Sequence, residues 1–516
     1  MKVEVLVAGE RAARGERRGP AGAIPVPAPD PRRAPPAAVI ARWERFVARL
    51  ASGGDPAAPA LRRSLERLAG GAACVVTGQQ AGVLTGPLLT VLKAARAVSL
   101  ARDLEAASGQ PVVPLFWIAA DDHDLDEIGH TFVLNGAGEP QRLRLELGDA
   151  RGAAGEIAVP EDAARALVAR MWELAAIDAA ALPPDPFLPR AGDSLSTWFA
   201  RGLTALFGAH GLLPFEPALL GDAARPVYER ALRADGAIAR ALREGAAALS
   251  ARGVEPPLPA DDDPPLFWIE PGARTRVRRS GGELRVGERA VAPAALLERC
   301  GPEAPRLSAN VALRTVVQAA ALPALAYVAG PHEIVYYEQL RPLHALYEVQ
   351  FPELVERPEA TVLSTAAVRA LRKLGVPPRE LFAALAARPD APAERPELLA
   401  RGERLRADVA RYVDELLASS PAVKSAGSRR AAQLLQSFDG LLERAGAAHA
   451  EGALAAGLRW STLSGLVRPR ERPQDRSLNV LPFLADHGAA LLDALLEARG
   501  EPTEEGFVPH SLILPG

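Results

Sequence analysis

Two apolar runs, each followed directly by polar residues, constrain the fold of this 516-residue chain more than any other feature. The first, residues 73–77, is rich in β-branched residues and precedes a glycine loop and a stretch of helical periodicity at 88–104. The second, residues 111–120, ends at an acidic cluster. Strand, loop, helix and strand in this order predict an α/β protein with a doubly wound parallel sheet. Such sheets bind ligands at the carboxyl ends of their strands, so we expect the functional site there.

The loop at 78–87 carries three glycines spaced four residues apart, Gly78, Gly82 and Gly86. Backbone amides at a helix N-terminus suit a phosphate or a carboxylate, and a tight structural turn is the alternative. The spacing matches neither the P-loop nor the dinucleotide fingerprint. The neighbouring amides of Gln79 and Gln80 can donate to an oxyanion and accept from an amine.

A lysine is informative in this chain, because only four of its 60 basic residues are lysine. Lys93 lies two turns into the predicted helix. Its ammonium group either reaches back towards the end of the first strand or is solvated, and the sequence leaves both open.

The segment 121–130 contains four Asp, one Glu and two His. Packed carboxylates raise one another's pKa and a neighbouring histidine gains proton affinity, so this segment can supply a general base. A divalent cation site is one alternative. Another is helix capping by Asp124 or Asp126, with the other residues solvated. Consecutive residues at a strand end point in different directions, so not all of them can converge.

Two further sets of polar residues follow later in the chain. Asn310, Arg314 and Gln318 are spaced four apart on one face of a predicted helix, where the arginine can clamp a carboxylate or belong to a surface patch. The second set lies at the exit of a predicted strand at 325–330 and near the C-terminus: Gly330, His332, Glu333, Tyr336, Gln474, Arg476 and Asn479. For the C-terminal residues a solvated loop is the alternative.

The pattern divides the chain into four parts. Residues 1–70 form an N-terminal extension and helix, and residues 71–390 a catalytic core with an insertion around 140–300 that includes an antiparallel hairpin at 274–291. Residues 391–466 form an antiparallel helical coiled-coil arm, and residues 467–516 a segment that packs back on the core. The predicted seams are Leu405, Val409, Tyr412 and Leu416 in one helix and Leu434, Phe438, Leu441 and Ala445 in the other. The arm is either intramolecular or a dimerisation element.

Composition excludes several classes of function. The formal net charge of −3 argues against a nucleic-acid binder. Two cysteines, Cys74 and Cys300, cannot form a disulfide framework and fit a reducing compartment. Neither a signal peptide nor a membrane span is visible, so a cytoplasmic protein is expected.

These motifs resemble those of the bacillithiol biosynthesis cysteine-adding enzymes over roughly residues 70 to 510. The resemblance rests first on residues 77–87, TGQQAGVLTGP, and on Phe116-Trp117-Ile118-Ala119 with the acidic segment that follows. Asn310-Val311 with Arg314, Gly330-Pro331 with Glu333, and Gln474, Arg476 and Asn479 appear in the same order as that family's later motifs.

The resemblance implies a ligase that joins cysteine to glucosaminyl malate, on a Rossmann-like core similar to that of class I aminoacyl-tRNA synthetases. It also implies a homodimer formed through the helical arm. ATP or ADP, with magnesium only as its companion, is the expected cofactor, because amide formation from a free carboxylate is uphill in water. No other metal is expected.

Roles follow for individual residues. His123, oriented by Asp122 or Asp124, is expected to deprotonate the attacking amine. Arg314 is expected to clamp a malyl carboxylate. The residues expected to bind substrate or phosphate are Thr77, Gly78, Gln79, Gln80, Gly82, Thr85, Gly86, Lys93, Glu127, His130, Asn310, Arg314, Gln318, Gly330, Glu333 and Tyr336. A metal-dependent amide hydrolase or deacetylase and a non-catalytic nucleotide-binding scaffold are the alternatives.

Overall fold

The computed structural model describes residues 3–12, 24–51, 55–233, 235–303, 306–386, 397–450, 460–498 and 507–515. Parts of two predicted segments, residues 13–23 of the N-terminal stretch and 451–459 of the arm, lie outside the described residues. The chain forms two compact units. The first comprises residues 1–365 and 465–516, and the second comprises residues 366–464.

The elements are numbered in chain order. The strands are β1 Val3–Ala12, β2 Ala73–Gln79, β3 Val112–Ile118, β4 His130–Leu134, β5 Pro140–Arg144, β6 Leu213–Phe215, β7 Leu266–Glu270, β8 Ala273–Ser280, β9 Glu283–Val286, β10 Arg289–Ala290, β11 Arg306–Ala309, β12 Ala324–Ala329, β13 Glu353–Glu356, β14 Glu359–Val362 and β15 Phe507–Pro515. The helices are α1 Ala37–Leu50, α2 Ala58–Ala69, α3 Leu88–Ser108, α4 Leu125–Ile128, α5 Glu161–Leu174, α6 Leu195–Phe207, α7 Arg225–Ala231, α8 Ala237–Ser250, α9 Pro293–Leu297, α10 Val311–Ala321, α11 Pro331–Gln339, α12 Arg341–Leu346, α13 Thr365–Leu374, α14 Leu381–Ala386, α15 Glu397–Ala418, α16 Pro421–Ala450, α17 Trp460–Val467, α18 Leu481–His487 and α19 Ala490–Glu497.

A five-stranded parallel sheet of order β13-β12-β2-β3-β6 forms the centre of the first unit. Its strands are almost wholly buried, which explains why β2 and β3 are continuous apolar runs and do not alternate. The chain adds β3 and β6 on one side of β2, and β12 and β13 on the other. This Rossmann-like order confirms the predicted α/β fold and places the reversal of strand order between β2 and β12.

A second sheet, antiparallel and of order β10-β9-β8-β7-β11, comes largely from the predicted insertion. The strands β8 and β9 pair around Gly281 and Gly282, whose φ angles of 60° and 86° allow the tight turn. The predicted hairpin is therefore confirmed. Residues of this antiparallel sheet form one wall of the site described below.

A three-stranded sheet of order β1-β15-β14 joins the two ends of the chain, with β15 antiparallel to β1 and parallel to β14.

Asn479 fixes the glycine loop at 78–87. Its Nδ2 donates to the carbonyl oxygens of Leu84 at 2.8 Å and Gly86 at 3.0 Å. Leu84 and Thr85 have φ angles of 53° and 70°. The buried amide of Asn479 thus stabilises a loop whose backbone is strained.

The second unit contains a helical hairpin, in which α15 and α16 run antiparallel. Arg406 forms an ion pair with Asp439, and a Cβ built at Gly402 would lie 2.5 Å from Leu442 Cδ2. The helices therefore face each other along a row that contains Gly402 and Arg406. Of the eight residues predicted to form the seam between them, Val409 and Phe438 are half-buried and Ala445 is exposed. The prediction is wrong for Leu405, Tyr412, Leu416, Leu434 and Leu441, since these side chains are exposed, Tyr412 at 65% and Leu441 at 60%. Leu417 and Leu442, each one position after a predicted residue, lie in that contact, against Gly427 and Gly402 respectively. No helix within the described residues is both long and apolar enough to cross a membrane.

We expect Gly245→Ala to destabilise the protein, because α8 crosses the end of α11 at this residue. A Cβ at Gly245 would lie 1.8 Å from the carbonyl oxygen of Gln339. The overlap is expected to lower the free energy of unfolding by about 2–3 kcal/mol, although alanine has the higher helix propensity by about 1 kcal/mol. Urea denaturation measures the difference. Gly136→Ala is the control, since nothing lies within 4 Å of its Cβ position and it should leave stability nearly unchanged.

Candidate active site

A cavity of about 830 Å³ lies at the carboxyl ends of the parallel strands. Each of the five strands contributes a residue from its exit to the wall: Gly78, Asp121, Pro217, Gly330 and Arg357. The antiparallel sheet and α8 form the opposite wall. The cavity therefore occupies the crevice that a reversal of strand order creates, as the sequence predicts.

Lys93 and Glu333 form a buried ion pair at the reversal between β2 and β12. The lysine side chain is 1% exposed, and its Nζ also donates to the carbonyl oxygen of Gly78 at 2.6 Å. Glu333 accepts from the backbone N–H of Gly330 at 2.7 Å and from the hydroxyl of Tyr327 at 3.0 Å. Burial alone would raise the pKa of Glu333, but Lys93 and the Gly330 N–H outweigh it and lower that pKa. Of the two alternatives for Lys93, the structure shows the one in which it reaches the strand end.

A chain of side-chain hydrogen bonds runs from Lys93 along the cavity wall. Nζ of Lys93 donates to Oε1 of Gln79 at 3.1 Å, and Nε2 of Gln79 donates to Oε1 of Gln80 at 2.7 Å. Nε2 of Gln80 then donates to Glu127 Oε2 at 3.0 Å. A lysine only donates and a carboxylate only accepts, so the two ends set the orientation of both amides. Two consecutive glutamines are needed because each must accept on one side and donate on the other.

Glu127 and Asp122 bring the acidic segment into the same cavity. Burial raises the pKa of Glu127, and the charges of Asp122 and Asp124 raise it further. Asp122 Oδ1 accepts from the backbone N–H of His123 at 2.7 Å. A carboxylate with a raised pKa inside a cavity can accept a proton during a reaction.

His123 and Asp124 lie outside this cavity, in a neighbouring groove, so the structure does not bring the predicted general base to the cavity that Gln79 and Gln80 line. The ring is exposed, and its Nδ1 accepts from Arg274 Nη1 at 3.4 Å. Asp124 caps α4 by accepting from the N–H of Glu127 at 3.1 Å, which is the capping alternative. The chain turns directly after β3, and this turn directs Asp122 inwards and His123 outwards.

Arg314 lies on the first turns of α10, and Asn310 caps that helix by accepting from two backbone N–H groups. Both residues line the cavity. Nη1 of Arg314 donates to Gln318 Oε1 at 3.2 Å and Nη2 donates to the Tyr336 hydroxyl at 3.1 Å. Both of these hydrogen-bond partners are neutral, and Glu333 favours the charge of Arg314 through space, so the guanidinium is charged and is not itself hydrogen-bonded to a carboxylate among the described residues. Gln318 itself does not line the cavity, and it is connected to the cavity by the hydrogen bond that it accepts from Arg314.

A smaller cavity of about 220 Å³ lies beside the first and shares Gln79, Gln80 and Glu127 with it. Gly82, Gly86 and His130 line only this smaller cavity. Thr77 and Thr85 line neither: the hydroxyl of Thr77 donates to Val328 O at 2.8 Å, and Thr85 is fully buried. Some of the predicted binding residues thus line the large cavity, some line the smaller one, and others are buried in the packing and line neither.

Sequence reasoning missed several charged residues of the site. Arg357 directly follows β13, lines the cavity and forms an ion pair with Asp475 at 2.6 Å in which both side chains are 2% exposed. Arg306 binds Asp121 beneath the cavity and Glu156 at 2.6 Å. The position of Arg357 at a strand exit was a usable signal. The partner of Arg306 lies 185 residues away, and no local pattern shows that.

No group of three or more His, Cys, Asp or Glu side chains is placed to hold a metal ion within the part of the chain that the structure describes. Cys74 is buried inside β2, and burial raises the pKa of its thiol to about 12.

The chain is similar to a known family and to several named proteins. A family model described as bacillithiol biosynthesis BshC, N-terminal Rossmann-like domain, matches residues 46–358. The chain is 30% identical to a protein of Koribacter versatilis, over 88% of this chain and 86% of that protein. It is also 30% identical to proteins of Solibacter usitatus, over 85% and 84% of the two chains, and Symbiobacterium thermophilum, over 93% and 90%. All three carry the name "Putative cysteine ligase BshC".

Proposed function

The chain belongs to the bacillithiol biosynthesis BshC family, whose curated relatives are named as cysteine ligases, and we propose that it joins the carboxyl group of cysteine to the amine of glucosaminyl malate. The observation that carries this proposal is the distribution of charge around the large cavity. Arg314 offers a positive charge with neutral partners, while Glu127 and Asp122 offer carboxylates. A cavity with both signs of charge suits substrates that carry both carboxylates and amines.

Amide formation from a free carboxylate requires activation, and we propose that ATP supplies it. A carboxylate oxygen of cysteine attacks the α-phosphorus and pyrophosphate leaves. The amine of glucosaminyl malate then attacks the resulting carbonyl carbon, AMP leaves, and the proton of the amine passes to a base. Phosphate groups fit the smaller cavity, which Arg470, Arg472 and Arg476 line. Two buried atoms there, Oγ1 of Thr90 and Nδ1 of His130, have no hydrogen-bond partner in the described chain.

Glu127 is the proposed proton acceptor, because it lines the cavity in which the amine must bind and His123 does not. The carboxylate already accepts from Gln80, which orients it. Its raised pKa brings it closer to the pH at which a general base works best.

A homodimer formed through the helical hairpin is part of the proposal. The outward-facing residues Leu405, Tyr412, Leu416, Leu434 and Leu441 are large and apolar. Exposed apolar side chains on one element are typical of a protein–protein interface.

One reaction mixture tests the function. The full chain is incubated with cysteine, glucosaminyl malate and ATP, and mass spectrometry follows the thiol conjugate and the nucleotide product. The proposal expects conjugate and AMP in equal amounts. Conjugate with ADP would keep the ligase and replace the adenylate by an acyl phosphate, and no conjugate with any nucleotide would contradict the proposal.

We expect Glu127→Gln to lower kcat by about 100-fold, because the amide has nearly the same shape and cannot take the proton. The base must be ionised, so the wild-type rate should rise as the pH increases through the raised pKa of Glu127. This rise should be absent in the variant, and a pH–rate profile measures it. Asp126→Asn, an exposed acid on the same helix, is the matched control. His123→Ala is expected to cost no more than about fivefold, and a 100-fold loss there with a normal Glu127→Gln enzyme would assign the base to the histidine.

A further inference from the structure

Arg274, on β8 of the antiparallel sheet, lies between the large cavity and the neighbouring groove, lines both, and lacks the partner that a half-buried arginine ordinarily has. Its Nε is buried and has no hydrogen-bond acceptor in the described chain. Within the described residues, its Nη1 makes a long contact of 3.4 Å to Nδ1 of His123, which lies in the neighbouring groove. Arg276, two positions later on β8, also lines the cavity, but it forms an ion pair with Asp261 at 2.6 Å. Arg274 therefore differs from its neighbour in having unused donors.

The position of the guanidinium is set before any ligand binds. Its central carbon lies 3.8 Å from the centre of the Phe267 ring, which holds the plane of the group against β7. Two carboxylates, Asp121 and Asp122, favour its charge without a hydrogen bond to it, and Asp121 is already bound by Arg306 and by the hydroxyl of Ser308. A rigid planar fork with free N–H groups matches the two oxygens of a carboxylate.

We propose that Arg274 binds a carboxylate of the acid substrate and so determines which acid the enzyme accepts. The proposal rests on the proposed function for the identity of that acid. The malyl group carries two carboxylates, and Arg274 and Arg314 stand on separate elements, β8 and α10, around one cavity. Each arginine binds one of the two malyl carboxylates. A ligand that lacks either acid group loses the corresponding contact.

The test compares the kinetics of Arg274→Gln and wild type on glucosaminyl malate and on two analogues of it. In each analogue, one of the two malyl carboxylates is replaced by a carboxamide. Arg274→Gln should raise KM for glucosaminyl malate by about 30-fold and leave KM for cysteine and ATP unchanged. For the analogue that lacks the recognised carboxylate, wild type and variant should have the same KM. Arg274→Lys should recover only part of the loss, because the ammonium has no fork.

Arg278→Gln is the matched control, an exposed arginine on the same strand that does not line the cavity. It should behave as wild type. An equal loss by Arg274→Gln on every analogue would overturn the proposal, and a raised KM for ATP alone would assign Arg274 to a phosphate instead.

Binding of L-malate to the full chain, measured by calorimetry, separates this inference from the proposed function. If wild type forms no conjugate but binds L-malate about tenfold more tightly than Arg274→Gln does, the carboxylate site stands and the ligase proposal falls. If wild type is an active ligase and the variant binds and turns over as wild type does, the inference alone is wrong.

Discussion

Lys93→Met is expected to lower the free energy of unfolding by about 3–5 kcal/mol, because it leaves the buried carboxylate of Glu333 without its cation. The same change removes a donor from the carbonyl of Gly78 and from Gln79. Urea denaturation followed by tryptophan fluorescence measures the loss of stability. Ligase activity should also fall, since the hydrogen-bond chain to Glu127 begins at this lysine.

Lys424→Met is the matched control for this prediction, because Lys424 is exposed on α16. It should change the stability by no more than about 0.5 kcal/mol. The double variant Lys93→Met with Glu333→Gln should be more stable than Lys93→Met alone, since it removes the unpaired charge. If the two single lysine variants are equally stable, the ion pair does not have the role assigned to it.

The Lys93–Glu333 pair also predicts a dependence of stability on pH. The pKa of Glu333 is lower in the folded protein than its ordinary value of about 4.3. The contribution of the pair is therefore fully present above the ordinary pKa of a glutamate and is lost as the pH falls through the lowered pKa of Glu333. Lys93→Met should lack this part of the acid dependence.

Arg314→Leu is expected to lower kcat/KM for glucosaminyl malate by about 100-fold, because a substrate carboxylate would lose its charged partner. The leucine also leaves the hydroxyl of Tyr336 and the amide of Gln318 without their donor. Steady-state kinetics with each substrate varied in turn measures the change, which should be smaller for cysteine than for glucosaminyl malate.

Two further variants separate charge from packing at this position. Arg314→Lys keeps the charge without the fork and should remain about tenfold below wild type. Gln318→Leu removes only a neutral neighbour, and its cost should be no more than about fivefold. Near-normal kinetics in a folded Arg314→Leu enzyme would contradict the role of Arg314 in binding the acid.

The expected effects of Lys93→Met and of Glu127→Gln share a physical basis in the hydrogen-bond chain between these two residues. This chain links the exits of β12, β2 and β3 through Glu333, Lys93, Gln79 and Gln80. The charged groups at the two ends therefore fix the orientation of the neutral side-chain amides of Gln79 and Gln80 between them. A substrate in the cavity meets amides whose positions are already set, which lowers the entropy lost on binding.

The local sequence was sufficient to predict the elements that place the site. Continuous apolar runs gave β2 and β3 because both faces of a central parallel strand are buried. Glycines at a strand exit and polar residues at the next exit located the cavity, since the carboxyl ends of parallel strands share one edge. The same reasoning placed Glu127, Gly330 and Glu333 correctly at its wall.

Side-chain direction at a turn, and every partner far along the chain, were decided only by the tertiary structure. Asp122 faces the cavity while the adjacent His123 faces a separate groove, and periodicity has no meaning in the irregular turn between them. The helical hairpin shows the same limit, because a pattern of apolar residues at 4-3-4 spacing does not say which side of a helix its partner occupies. Arg274, Arg306 and Arg357 belong to the site because strands distant in sequence meet there. Local sequence determines backbone preferences and burial, whereas the convergence of charges depends on the complete packing of the chain.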